Sequence, residues 1–165
     1  GVMNSWGVHA FVILNDLAGA DPVRVYAAGG VRVRKDTPHN LDSAWVTITY
    51  ANGATGCLAF CRFSPYGSDW AQIGTIGDKG KIEALWTARI ISHFGIRDPT
   101  ETKITLAPYG FPGFDGNHQQ LRAFIQSVKT GERPIVNGRT ALLTTAVALA
   151  AEKSVKEERV IPIEL

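Results

Sequence analysis

The residues best placed to do chemistry stand near the start of the chain. Ser5, His9, Val12 and Asp16 recur at the spacing of successive helical turns. A helical residue advances about 100°, so these four fall within roughly one 60° sector. Trp6, Val8, Phe11, Ile13, Leu14 and Leu17 occupy the other faces. A helix apolar nearly all round belongs inside a domain. A histidine on its narrow polar stripe either completes a hydrogen-bonded core or moves protons, since imidazole titrates close to neutral pH. Spacing alone leaves both readings open.

Other candidates carry less. Gly74, Gly77 and Gly80 have the look of a phosphate loop, but a dinucleotide turn must run from a strand into a helix. Here the glycines lead into Lys81–Leu85, which reads as a strand, so a hairpin with Lys79 at its exposed turn is expected. His39 falls in a loop beside Pro38, His93 in a strand and His118 in the first turn of a helix, all in structural roles. Asp42 and Asp115 lie at element edges, where turn and cap roles are common. Tyr109 and Phe111 sit in a loop rich in Gly and Pro, where aromatics either cover a core or wall a pocket. Tyr109 is kept as a candidate substrate contact.

Cys57 and Cys61 share one face of a strand-like run. Four strand residues span about 13 Å, far beyond disulfide reach. They read as buried free thiols, lack the partners of a metal site, and favour a reducing, cytoplasmic home. The chain has 165 residues, 45% hydrophobic and 19% charged, with a net charge of +2. That suits a single globular domain and argues against a nucleic-acid surface. No signal peptide or membrane-spanning run is visible. The chain opens at Gly1 on the threshold of a helix, as a piece of a longer protein would.

The elements that must position these residues follow from patterning. A first helix is expected over Ser5–Leu17, stopped by Gly19. Alternation predicts strands at Val23–Ala27, Val31–Arg34 and Ala44–Tyr50. Asn52-Gly53 is a strong hairpin signal, and Cys57–Phe63 returns antiparallel. Further strands are expected near Ala71–Ile76, Lys81–Leu85, Arg89–Phe94 and Thr102–Leu106. Helices follow over His118–Thr130 and Gly138–Lys156, the second with Asn137 as a possible cap. Arg159–Ile163 closes as a strand. The fold class is therefore α+β: a large, mostly antiparallel sheet covered on one face by helices. The other face, carrying Trp45 and Thr47, is open for dimerisation.

Several stretches together resemble a known family. Gly7, His9, Leu17 and Gly19 look like the "G-x-H-x-x-D-x-x-x-x-L-x-G" helix of the Gfo/Idh/MocA oxidoreductases, relatives of glucose–fructose oxidoreductase and inositol dehydrogenase. Asp42, Ala44, Val46, Tyr50, Asn52, Gly53 and Gly56 are similar to that family's "D-x-A-x-V-x-x-x-Y-x-N-G-x-x-G" hairpin. Gly77–Ile82, Leu121–Pro134 and Ala150–Ile163 match its later turn, helix and ending. These stretches follow one another in the family's order over nearly the whole chain.

The resemblance implies the C-terminal substrate-binding and oligomer-forming half of a two-domain enzyme, over residues 1–165, with the N-terminal Rossmann half absent. The cofactor implied is NAD or NADP in the full-length parent, with none held by this chain alone. The substrate implied is a sugar, polyol or similar hydroxyl compound. By the same resemblance His9 handles the proton of the substrate hydroxyl, and Ser5 holds a substrate hydroxyl or orients His9. The departures are informative. Ser5 stands where the family has an acid four residues before the histidine, and Val12 stands where it has an aspartate. Two other readings remain: a non-catalytic sheet platform for self-association or partner binding, and NAD-dependent cleavage of glycosidic bonds. No metal, nucleic acid or membrane is implied.

Overall fold

Gly19 ends the first helix where the sequence places the stop. Its φ of 62° is left-handed, and its N–H donates to the carbonyls of Asn15 and Asp16, a conformation glycine adopts without a Cβ clash. The computed structural model describes residues 3–37, 40–62, 72–85, 90–95, 101–105 and 116–164. After a π-helical turn at Met3–Gly7, the elements in chain order are α1 (Val8–Ala18), β1 (Pro22–Gly30), β2 (Ser43–Tyr50), β3 (Thr55–Cys61), β4 (Gln72–Gly77), β5 (Gly80–Leu85), β6 (Ile90–Gly95), β7 (Glu101–Thr105), α2 (Gly116–Thr130), α3 (Gly138–Glu157) and β8 (Ile161–Pro162). Most boundaries fall within one or two residues of the expected ones.

The chain divides into two units, Gly1–Phe63 with Val136–Leu165, and Ser64–Ile135. The α+β class and the antiparallel pairing hold. The strands are shared between two four-stranded sheets, ordered β3-β2-β1-β8 and β4-β5-β6-β7.

In the first unit, period-2 alternation sorts the strand residues. Val25, Ala27, Ala44, Val46, Ile48 and Tyr50 point inward and are buried. They meet α1 and α3, whose Phe11, Val147, Ala148 and Ala151 complete the core. Each large aliphatic side chain buried there contributes about 1.5–3 kcal/mol. The opposite face is open. Trp45 is 73% exposed and Tyr26 44%.

Cys57 and Cys61 share a face as expected, but it is the open one, opposite Thr47 and Ser43, and both thiols are exposed and free. Alternation turns Leu58 and Phe60 inward instead. The hairpin joining β2 to β3 turns at Asn52-Gly53, with Gly53 at φ 85°. The Asn52 amide also donates to the carbonyl of Ala18, tying this turn to the end of α1. Asn137 caps α3, accepting from the N–H groups of Arg139 and Thr140.

In the second unit, β4 and β5 close on the two-residue turn Asp78-Lys79 between paired Gly77 and Gly80. The glycine-rich run is thus a hairpin and offers no helix N-terminus to a pyrophosphate. One face of this sheet carries the ion pairs Lys81–Glu83 and Lys103–Glu101. The stripe Leu121, Phe124, Ile125 and Val128 lies along α2 at helical spacing and is exposed, so two of the three helices, α1 and α3, cover the described sheet residues of their unit.

Candidate functional site

Val31–Arg34, expected as a strand, is a loop, and the reason is Asp42. Its carboxylate is buried and accepts four backbone hydrogen bonds of 2.7–2.9 Å. Arg32 donates to both oxygens, and Val33 and Arg34 donate to Oδ2. Backbone donors that would have joined a ladder are gathered around one anion, as in an Asx-type turn. Burial alone would raise this carboxyl. The N–H groups of Arg34, Arg32 and Val33, with the charge of Lys35, outweigh it and lower the pKa from 3.8 to about 2.

The sign follows. A depressed carboxyl stabilises the fold above its unfolded pKa, and that contribution is lost as pH falls from about 3.8 through about 2. The amide resonances of Arg32, Val33 and Arg34 should hold steady down to pH ~4 and then move together toward a midpoint near 2, with Asp42→Asn removing the transition. A midpoint at the ordinary carboxyl value would contradict the cradle.

The opening helix lies on the same unit. Only Phe11 of α1 is buried, with Met3 and Gly7 of the preceding turn. The helix rests one side on β3 and α3 and leaves the other exposed. Its composition predicts a helix inside the domain; the structure instead leaves one side of it open. Ser5 and His9 are both exposed, Val12 is half-buried and Asp16 is exposed. The π turn holding Ser5 is wider than an α turn, so Ser5 and His9 occupy adjacent turns without the strict register of an unbroken α-helix. Asp16 lies seven residues further on in the same helix, about 10 Å from His9 along the axis. The arrangement offers one accessible imidazole, one hydroxyl and no carboxylate next to them on this helix.

Two residues missed by the sequence reading join them. Trp6, assigned there to an apolar face, is 48% exposed. The guanidinium of Arg62, just beyond β3, lies 5.9 Å from its ring centroid. The strand register explains the meeting. Gly30, Ser43 and Cys61 are cross-strand partners at one end of the sheet. The Asp42 loop, Arg62 and the start of the first helix gather at that end, while Asn52 and Ala18 meet at the other. An arginine ending an apolar strand was the available signal.

Tyr109, Phe111, Asp115 and His39 lie outside the described residues. His93 is an exposed residue of β6 and His118 an exposed residue of α2. Among the described residues no group of three or more His, Cys, Asp or Glu is placed to hold a metal, and no helix is long and apolar enough to cross a membrane.

Comparison with known proteins completes the description. A family model described as "Oxidoreductase family, C-terminal alpha/beta domain" matches residues 1–165. The chain is 28% identical over 170 residues to a myo-inositol 2-dehydrogenase of Thermotoga maritima, covering 99% of the chain and 49% of that protein. It is 26% identical over 169 residues to an inositol 2-dehydrogenase of Rhizobium meliloti, covering 99% and 50%. The chain thus spans about half the length of these curated relatives. An oxidoreductase from Agrobacterium radiobacter, solved with NAD+, L-tartaric acid and magnesium, superposes with a TM-score of 0.80 at 19% identity, over 96% of this chain and 48% of that one. At that identity the likeness shows the fold.

Proposed function

The chain belongs to the oxidoreductase family of C-terminal alpha/beta domains, and from that premise we propose that residues 1–165 form the substrate-binding and oligomer-forming domain of an NAD(P)-dependent oxidoreductase. The substrate is a sugar, polyol or similar hydroxyl compound, as the two inositol dehydrogenase relatives suggest. The observation that carries the reading is the exposed pair Ser5 and His9 on the opening helix. A sealed, aliphatic-packed imidazole would have argued against it.

The nicotinamide, when bound, supplies the acceptor for the substrate's hydride, and the glycine-rich run Gly74–Gly80, a hairpin, offers its pyrophosphate no helix N-terminus. This chain's part is proton handling. His9 accepts the hydroxyl proton from the carbon being oxidised. Ser5 donates a hydrogen bond to a neighbouring hydroxyl or orients the imidazole, and Tyr109 adds a substrate contact. A panel of polyols, free sugars and glycosides, offered to the natural full-length protein with NAD+ and NADP+, tests this. Net reduction of nucleotide with a polyol or sugar is expected. Turnover of glycosides without net reduction would move the reading to transient oxidation and bond cleavage.

The open face supports self-association. Trp45, Tyr26 and Thr47 present a mixed aromatic and polar sheet surface that the described residues leave exposed, the kind of surface that marks an interface. A second copy docks there in this reading. Trp45→Asp should lower the sedimenting mass to that of a protomer, and an unchanged mass would reject the docking face. The exposed free thiols on that face fit a reducing, cytoplasmic setting.

A further inference from the structure

Among the described residues, none pairs with the hydrogen-bonding edge of the Arg62 guanidinium. The other arginines with a carboxylate nearby make ion pairs: Arg34 with Asp36 at 3.3 Å, Arg139 with Asp21 at 2.5 Å and Arg159 with Glu157 at 2.5 Å. Arg62 has no carboxylate in reach among the described residues. Its contact is with the flat face of Trp6. A stacked guanidinium is held by the ring's quadrupole, worth about 0.5–1 kcal/mol at an exposed site, while its N–H fork stays free for a planar acceptor.

The backbone below it is pinned. Its N–H donates to the carbonyl of Asp42 at 2.8 Å, so the chain leaves β3 in a set direction. The residue that pins it is the one that shapes the neighbouring loop. That loop adds Arg32, Arg34 and Lys35 against a single exposed Asp36. The negative charge of Asp42 is buried and satisfied by the loop's own N–H groups. This end of the sheet is therefore electropositive, and the contact with Trp6 brings the guanidinium to the start of the first helix, where Trp6 follows Ser5 in the chain.

We propose that Arg62 is a substrate-binding residue that grips a carboxylate or phosphate, so that the substrate is an anionic polyol, such as a sugar acid. This rests on the reading of Ser5 and His9 as the substrate site and narrows it. A neutral polyol has no planar anion to fill the fork. A hydroxy acid fills it bidentately while one of its hydroxyls reaches His9, and the surrounding cations draw such an anion in.

The test uses the natural full-length protein saturated with NAD+ or NADP+. Gluconate, glucuronate, sorbitol and myo-inositol are titrated calorimetrically into the wild type, Arg62→Gln and Arg62→Lys, and nucleotide reduction is followed in parallel. A charge-assisted pair predicts that the acids bind about 10–100-fold more tightly than the neutral polyols. Arg62→Gln should bring that ratio close to one, and Arg62→Lys should retain part of it. Equal affinity for acids and neutral polyols in the wild type overturns the proposal, as does a ratio unchanged in Arg62→Gln. Weaker nucleotide binding in Arg62→Gln, with the ratio intact, assigns the anion to the cofactor and also overturns it. Arg62-dependent binding of acids without nucleotide reduction upholds Arg62 and removes the oxidoreductase reading. Oxidation of neutral polyols with the ratio at one does the reverse.

Discussion

Replacing His9 by alanine in the full-length protein should lower kcat/KM for hydroxyl oxidation by about 10²–10⁴-fold, the usual contribution of a positioned general base. Nucleotide affinity should stay within about twofold, because the glycine-rich run Gly74–Gly80 closes a hairpin and offers a pyrophosphate no helix N-terminus. The size of the effect follows from the chemistry. As hydride leaves the carbinol carbon, the oxygen becomes a carbonyl and its proton must go to a base. His9 is the exposed candidate on the opening helix, and Asp16 lies two turns away. Ser5 offers a hydrogen bond but no charge. His9→Gln keeps a polar side chain and loses the basic nitrogen, so it should fall nearly as far as alanine. The platform reading makes the opposite forecast: unchanged turnover in both variants, with self-association still sensitive to Trp45→Asp. Each outcome therefore selects one of two functions.

The features legible in the sequence were those whose cause is local. Gly19 stops α1 because only a left-handed residue closes that cap. Asn137 caps α3 through its own side chain. Asn52-Gly53 turns the β2–β3 hairpin, and Gly77 to Gly80 turns the next one, by backbone preferences that two or four residues carry. Where sequence reading departed from the fold, the cause was distant. Alternation told that Cys57 and Cys61 share a face with each other, but which face is covered depends on where α1 and α3 land. Val31–Arg34 alternates like a strand, yet Asp42 draws its N–H groups into a loop. The first helix looked buried all round because its apolar residues exceed what one side of packing can cover. The site shows the same division. Ser5 and His9 were visible as neighbours on one helix, whereas the Trp6–Arg62 stack depends on β3 bringing a residue far along the chain to the helix start. Tyr109 lies outside the described residues, and its role stays a proposal.

Ser154→Ala should cost about 1–3 kcal/mol of stability, although it removes one oxygen atom and changes no apolar contact. The reason lies in the short last strand. Val25 pairs with Ile161 in the β1–β8 ladder, so the same register continued by two residues would set Ala27 opposite Arg159. β8 starts only at Ile161, and the ladder ends before that pair forms. The hydroxyl of Ser154, fully buried on α3, is inserted where the missing bond would be. It accepts from the Ala27 N–H at 2.8 Å and donates to the Arg159 carbonyl at 2.6 Å. One atom thus satisfies a donor and an acceptor and fastens α3 to β1. Alanine leaves the Ala27 N–H buried without an acceptor. The denaturation midpoint should fall with an unchanged m-value, and the Ala27 amide should exchange faster while its neighbours Val25 and Val46 keep their protection. A midpoint shifted by less than about 0.5 kcal/mol, with the Ala27 amide still slow, would show that the hydroxyl is not the acceptor that matters. The strand end would then be held by packing alone, through Val147, Ala148 and Ala151, whose truncation would become the larger loss.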